Sequence, residues 1–174
     1  MQNDALNVSV NQQERTVTQV VIESKRSYDE VIQTFEANTH HITTDQFFQL
    51  VKNATTFAEY AHSIDMVLGE KRFLRIWDLD LGSGVSHYFR PLKGKAYLFG
   101  NPALAFQMLA RHAGVGFYVP FRVYFSEDTP GSTHIIYDQP SSFLRQFNDA
   151  DILKIATALD TKVADFLTFV AQGA

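Results

Sequence analysis

The sequence predicts an α+β fold, a mostly antiparallel sheet with helices packed on one face. Three observations carry this. Strand and helix candidates follow the order strand, helices, three or four strands with one helix among them, and a long helix. Phe117, Val119, Phe121, Val123 and Phe125 alternate with Tyr118, Pro120, Arg122, Tyr124 and Ser126, the two-residue period of a strand with one apolar face. Ile152, Ile155, Leu159, Val163, Phe166 and Val170 line one stripe of a helix over 148–170, and at ~1.5 Å per residue that helix can cross a whole sheet. Helices laid on one side of an antiparallel sheet bury both apolar surfaces at once.

Each element has a local reason. Val17 to Ile22 is β-branched and flanked by polar residues, which predicts the opening strand. Ser27-Tyr-Asp-Glu30 is a capping box, in which hydroxyl and carboxylate satisfy orphan backbone N–H groups at a helix start. That helix is expected to end near His40. Thr43 to Gln46 and Thr56 to Glu59 repeat the pattern, so two short helices are expected over 43–68, the second ended by Gly69. Phe73 to Leu79 reads as a strand. Gly82-Ser-Gly84 reads as punctuation, with Val85 to Arg90 returning as a further strand. Ala96 to Phe99 is a short apolar strand, and Asn101-Pro102 opens a helix that Gly114 ends. Phe117 to Phe125 is the clearest strand, and Thr133 to Tyr137 returns antiparallel to it. A proline inside that strand predicts an edge position or a bulge.

Composition bounds the rest. With 174 residues, 45% hydrophobic and 20% charged, the chain is expected to form one domain over 16–174 behind a flexible lead-in over 1–15. Zero cysteines exclude a disulfide scaffold, a cysteine nucleophile and thiolate metal sites. A net charge of −4 predicts no broad attraction to nucleic acid or to an anionic membrane. Residues 70–95 are locally cationic, with Lys71, Arg72, Arg75, Arg90, Lys93 and Lys95 against Glu70, Asp78 and Asp80. No apolar run reaches the ~20 residues of a membrane span, and no secretory leader is visible, so a soluble, cytoplasmic protein is expected.

Ala96-Tyr-Leu-Phe-Gly-Asn-Pro-Ala103, then Gly114-Val-Gly-Phe-Tyr-Val-Pro-Phe-Arg-Val-Tyr-Phe125, then Tyr137-Asp-Gln-Pro140 with Phe143-Leu144, form a pattern that resembles the bacterial family known as domain of unknown function 302. The resemblance is best over 95–145, and the helices at 43–68 are additional to it. It implies a TATA-binding-protein-like architecture, one curved antiparallel sheet with helices across one face. It implies no activity, cofactor or catalytic residue, and fold alone carries no function.

Candidate sites follow from strand alternation. Tyr118, Arg122 and Tyr124 turn away from the apolar stripe, and alternation in the neighbouring strands is expected to bring Arg75, Trp77, Tyr97 and His134 to the same side. Aromatics with one or two cations suit a small anionic or planar ligand, and equally a homodimer interface. The leading expectation is a small-ligand-binding domain using Arg75, Trp77, Tyr97, Arg122, Tyr124 and His134, with no cofactor and no metal. A homo-oligomeric interaction module is one alternative. The other is a hydrolase-like or metal-assisted enzyme in which Asp78 and Asp80 share a strand face with His87 nearby. His40 and His41 read as residues at a helix C-terminus, where they suit the dipole, and His62 and His112 as packed or capping residues.

Overall fold

A computed structural model describes residues 8–71 and 73–173. Part of the expected lead-in, residues 1–7, lies outside the described residues, as does Arg72 of the cationic stretch. The elements in chain order are β1 (Gln19–Ser24), α1 (Tyr28–Asn38), β2 (Thr39–His41), α2 (Thr44–Asn53), α3 (Phe57–Leu68), β3 (Phe73–Asp80), α4 (Leu81–Tyr88), β4 (Lys93–Gly100), α5 (Pro102–Leu109), β5 (Phe121–Glu127), β6 (Thr133–Asp138), α6 (Pro140–Leu144) and α7 (Ala150–Gln172). Short 3-10 turns occupy Ala113–Phe117 and Arg145–Phe147. The six strands form one open sheet in the order β1-β6-β5-β4-β3-β2, antiparallel throughout except for the parallel β2–β3 pair.

The predicted caps are made. The Ser27 hydroxyl accepts from the Glu30 N–H and the Glu30 carboxylate accepts from the Ser27 N–H, and α2 and α3 repeat this with Thr43/Gln46 and Thr56/Glu59. Each such cap is worth ~1 kcal/mol to its helix. The Asn101 amide oxygen accepts from the N–H groups of Ala103 and Leu104, with Pro102 at the first helical position.

One face of the sheet carries α1 and α7. Phe35 of α1 is the centre of that core, with its ring 4.8–5.8 Å from those of Tyr97, Phe99, Phe125 and Phe166. Fully burying such a side chain contributes ~2–3 kcal/mol. A second cluster joins Leu74 of β3, Ile42, and Tyr60, Ile64 and Leu68 of α3. Leu74 points opposite to Phe73, so α2 and α3 cover the other face, at the β2–β3 margin only.

Four sequence expectations are corrected. Residues 81–88 form α4 and no strand, because the Asp80 carboxylate accepts from the Ser83 N–H and starts a helix despite two glycines. Residues 117–120 are not strand: Ala113–Phe117 is a 3-10 turn capped by the His112 ring, and the chain enters β5 only after a cis Val119–Pro120 bond. Pro120 therefore precedes β5, a central strand, and donates to no ladder. α5 stops at Leu109, ahead of Gly114. His40 and His41 sit in β2, since α1 ends at Asn38 and Thr39 turns extended with its hydroxyl donating to the Phe35 carbonyl.

Candidate functional site

Cross-strand register decides which residues meet. In an antiparallel sheet, paired residues share a face, and their rows lie two residues apart along each strand. On the face without α1 and α7, one row runs Trp77–Leu98–Arg122 across β3, β4 and β5. The next runs Leu79–Ala96–Tyr124–Ile136–Val21 across five strands. A third runs Gly94–Ser126–His134–Glu23. Four of the six expected site residues, Trp77, Arg122, Tyr124 and His134, therefore do share one face.

Arg75 and Tyr97 do not. Tyr97 pairs with Val123, which faces α1, and is fully buried. Arg75 pairs with Phe99, while Trp77 pairs with Leu98, the next residue back along β4. The extra residue between them is a bulge at Ile76, and a bulge breaks strict alternation, so 75 and 77 fall on opposite faces. The expectation that all six line one surface is thus corrected: the open face keeps four.

The open face is apolar and exposed. Val21, Trp77, Leu79 and Leu81 remain 43–49% accessible. Arg122 is exposed and makes no ion pair among the described residues. It borders two shallow hollows of about 310 and 280 Å³, and Asp138 borders both with it. Leu98, Phe117 and Tyr118 line the first, and Leu81, Tyr124 and Ile136 the second. The Tyr124 ring lies over Gly94, where a Cβ would collide with its hydroxyl. Burial, and then the Asp80 charge, push the Tyr124 hydroxyl above its ordinary value, so it stays a neutral donor and acceptor.

On the helix face, Arg75 and Tyr97 enter a charge network the sequence reading did not contain. The Tyr97 hydroxyl donates to Glu36 Oε1 at 2.7 Å, and Lys95 Nζ reaches the same oxygen at 2.9 Å and Asp78 Oδ2 at 3.0 Å. Arg75 donates through Nε to the Thr39 hydroxyl at 3.2 Å and lies 3.8 Å from Asp78. Burial works to raise the Glu36 pKa, but the hydrogen bonds of Tyr97 and Lys95 and the charges of Lys95 and Arg75 outweigh it and hold the carboxyl low. Two cations and two carboxylates balance here. The network closes the seam between α1 and the sheet over the one polar atom of a buried tyrosine. Glu36 lies beside the buried Phe35, and no spacing pattern in the sequence ties that helix position to Lys95 and Asp78.

The residues of the enzyme alternative are separately engaged. Asp78 is held by Lys95, Asp80 caps α4 through Ser83, and the His87 ring packs edge-on against Tyr88 at 4.4 Å. No group of three or more His, Asp or Glu that could hold a metal occurs among the described residues. No helix among them is long and apolar enough to cross a membrane.

Six strands in one open, mostly antiparallel sheet, with α1 and α7 on one face and α2 and α3 at one margin of the other, define an α+β domain. The model of the family described as Domain of unknown function DUF302 matches residues 49–170, and the chain belongs to that family. The match takes in α3 and the second half of α2, which the resemblance read from the sequence leaves outside it. Among solved structures, the uncharacterized conserved protein DUF302 from Bacillus stearothermophilus is similar with a TM-score of 0.61 and 15% identity, over 88% of this chain and 98% of that one. At that identity the likeness speaks for the fold. No curated protein matches the chain.

Proposed function

We propose that this domain is a small-ligand-binding module whose seat is the open sheet face around Arg122, with Trp77, Tyr124 and His134 as its further contacts. One observation carries the reading: an exposed guanidinium without an ion-pair partner among the described residues, set between two hollows on an apolar, partly aromatic floor. A guanidinium offers a planar fork of donors, which pairs with a carboxylate or phosphate in two parallel bonds. Trp77 and Tyr124 supply flat apolar area for the body of a planar anion. Asp138 beside Arg122 favours a ligand that also carries an N–H or O–H donor. Arg75 and Tyr97 are left to the helix-side network.

Calorimetric titration with a panel of aromatic carboxylates and small phosphate esters tests this, wild type against Arg122→Ala. Losing one charge-assisted bidentate contact is expected to weaken any hit by about tenfold or more, in line with ~1.5–3 kcal/mol for hydrogen bonds to charged groups. Equal affinity in the two proteins refutes the seat.

A second reading rests on a different observation, the breadth of exposed apolar surface at Val21, Trp77, Leu79 and Leu81. Contiguous apolar patches of this kind mark interaction surfaces, and a second copy of the chain stacked face to face would cover it as a homodimer. Sedimentation of the wild type against Leu79→Glu tests that reading. A monomer in both proteins excludes it.

A further inference from the structure

A cavity of about 300 Å³ opens at the end of the sheet, between α2, α5, α7 and the Val119–Pro120 segment that leads into β5. Phe47, Phe48, Ile76, Met108, Val119 and Leu159 form most of its wall, and no charged side chain lines it. Of its polar residues, Thr44 sits exposed on the first turn of α2, and Asn101 has already spent its amide oxygen on capping α5. The Asn101 amide nitrogen donates to no partner among the described residues, which leaves its two N–H donors unused. None of Trp77, Arg122, Tyr124 and His134 lines this space.

Two features set it apart from a packing defect. Protein interiors pack to the density of organic crystals, with few voids larger than a water molecule. Helix α2 carries Phe47, Phe48, Leu50 and Val51 and buries none of them fully. Leu50 and Val51 pack with Phe47 against the cluster around Tyr60, whereas Phe48 stays 51% exposed and lines the cavity beside Phe47, an apolar side chain without a completed apolar environment on that side. Volume then selects the occupant. An α-helix is ~10–12 Å across with its side chains and does not enter. An apolar void of ~150 Å³ takes one benzene ring, so this one takes about two fused rings or a branched aliphatic of similar size. The lower bound for ligand sites is also ~300 Å³.

We propose that the cavity between α2 and α5 binds a small uncharged apolar molecule, aromatic or branched aliphatic, with a single acceptor oxygen taken by the Asn101 amide N–H. The site is distinct from the sheet face and stands without it. The probe is 2-acetyl-6-(dimethylamino)naphthalene, an uncharged fluorophore of two fused rings with one ketone oxygen, whose emission brightens and shifts to the blue on leaving water. Wild-type protein is expected to raise and blue-shift its emission saturably. Ala105→Phe fills the cavity from its wall, and Phe48→Glu puts a charge beside it at a position that is 51% exposed and outside both buried clusters. Each folded variant is expected to weaken the probe by about tenfold or more, the scale of adding or losing apolar groups in a hydrophobic pocket. Arg122→Ala is expected to leave it unchanged. No emission change with wild type overturns the proposal, as does unaltered binding in a folded variant, or binding lost in Arg122→Ala alone.

Discussion

Removing one oxygen from Tyr60 is expected to stabilise the protein. The side chain is 4% exposed, its ring stacks on Phe106 at 5.0 Å with planes 16° apart, and its hydroxyl has no hydrogen-bond partner among the described residues. A buried hydroxyl left unpaired forfeits its water bonds at a cost of ~1–3 kcal/mol. Tyr60→Phe deletes that cost and keeps the ring, its stacking and nearly all its dispersion contacts. Allowing for the contacts of the lost oxygen, a gain of about 1 kcal/mol is expected, which in a chain of this size raises Tm by ~2–4 °C. Urea titration is expected to move the midpoint up by roughly 0.5 M at unchanged m, for an m near 2 kcal/mol/M. The alkaline limb gives a second reading. Burial raises the Tyr60 pKa from 10.0 to about 12. A raised folded-state pKa means stability that is whole below pH 10 and is lost as pH climbs toward 12, because only the unfolded chain ionises there. The phenylalanine variant loses that part of the slope. A fall in Tm, or an alkaline limb identical to the wild type, refutes the idea that the hydroxyl is buried and unpaired.

Two further outcomes test the scaffold. A Cβ on Gly82 would stand 2.7 Å from the Leu92 carbonyl oxygen and 2.9 Å from the Lys93 carbonyl carbon, backbone atoms that cannot swing aside, whereas a Cβ on Gly84 meets nothing within 4 Å. Gly82→Ala is therefore expected to lower Tm by several degrees, overpacking of ~1–3 kcal/mol exceeding the ~1 kcal/mol helix-propensity gain, and Gly84→Ala to hold or raise it; equal effects at both sites contradict the close approach of α4 to β4. Glu36 has a folded pKa below its ordinary 4.5, so its share of stability is present above that value and drains as pH falls through the folded pKa; Glu36→Gln is expected to be less stable at pH 7 and to show a flatter acid limb, and parallel acid curves would show that the Lys95–Glu36–Tyr97 contacts carry no linkage.

Much of the fold was legible because its elements are announced locally. Three capping boxes, the Asn101-Pro102 start and the stripe of α7 each act within one or two turns of helix, and all of them sit where the sequence places them. Misreadings arose where a local rule met a competing contact. Gly82 and Gly84 read as breakers, yet Asp80 caps the segment, and the bare Cα of Gly82 is what lets the helix lie against the β4 backbone. The alternation from 117 to 120 was real in letters but not in structure, because His112 caps a 3-10 turn there. The site was half legible for a related reason. Which face Arg122 and Tyr124 take follows from alternation alone. Which face Trp77 and Arg75 take depends on a single inserted residue, and nothing in Leu74-Arg-Ile-Trp77 marks Ile76 as the bulge. Glu36 was missed because its partners lie about 60 positions away in the chain.

The shortness of β2 bears on how these molecules behave when crowded. A bare sheet margin is a template on which a neighbouring chain can lay down a strand and begin a fibre. At this margin only Thr39, His40 and His41 offer rungs, and α2 begins three residues on. A foreign strand could gain at most a few bonds there before meeting a helix. At the opposite margin, β1 turns Gln19 and Glu23 outward around Val21, so a growing ladder would stack identical carboxylates. Polymerisation by strand addition is thus disfavoured at both ends of the sheet.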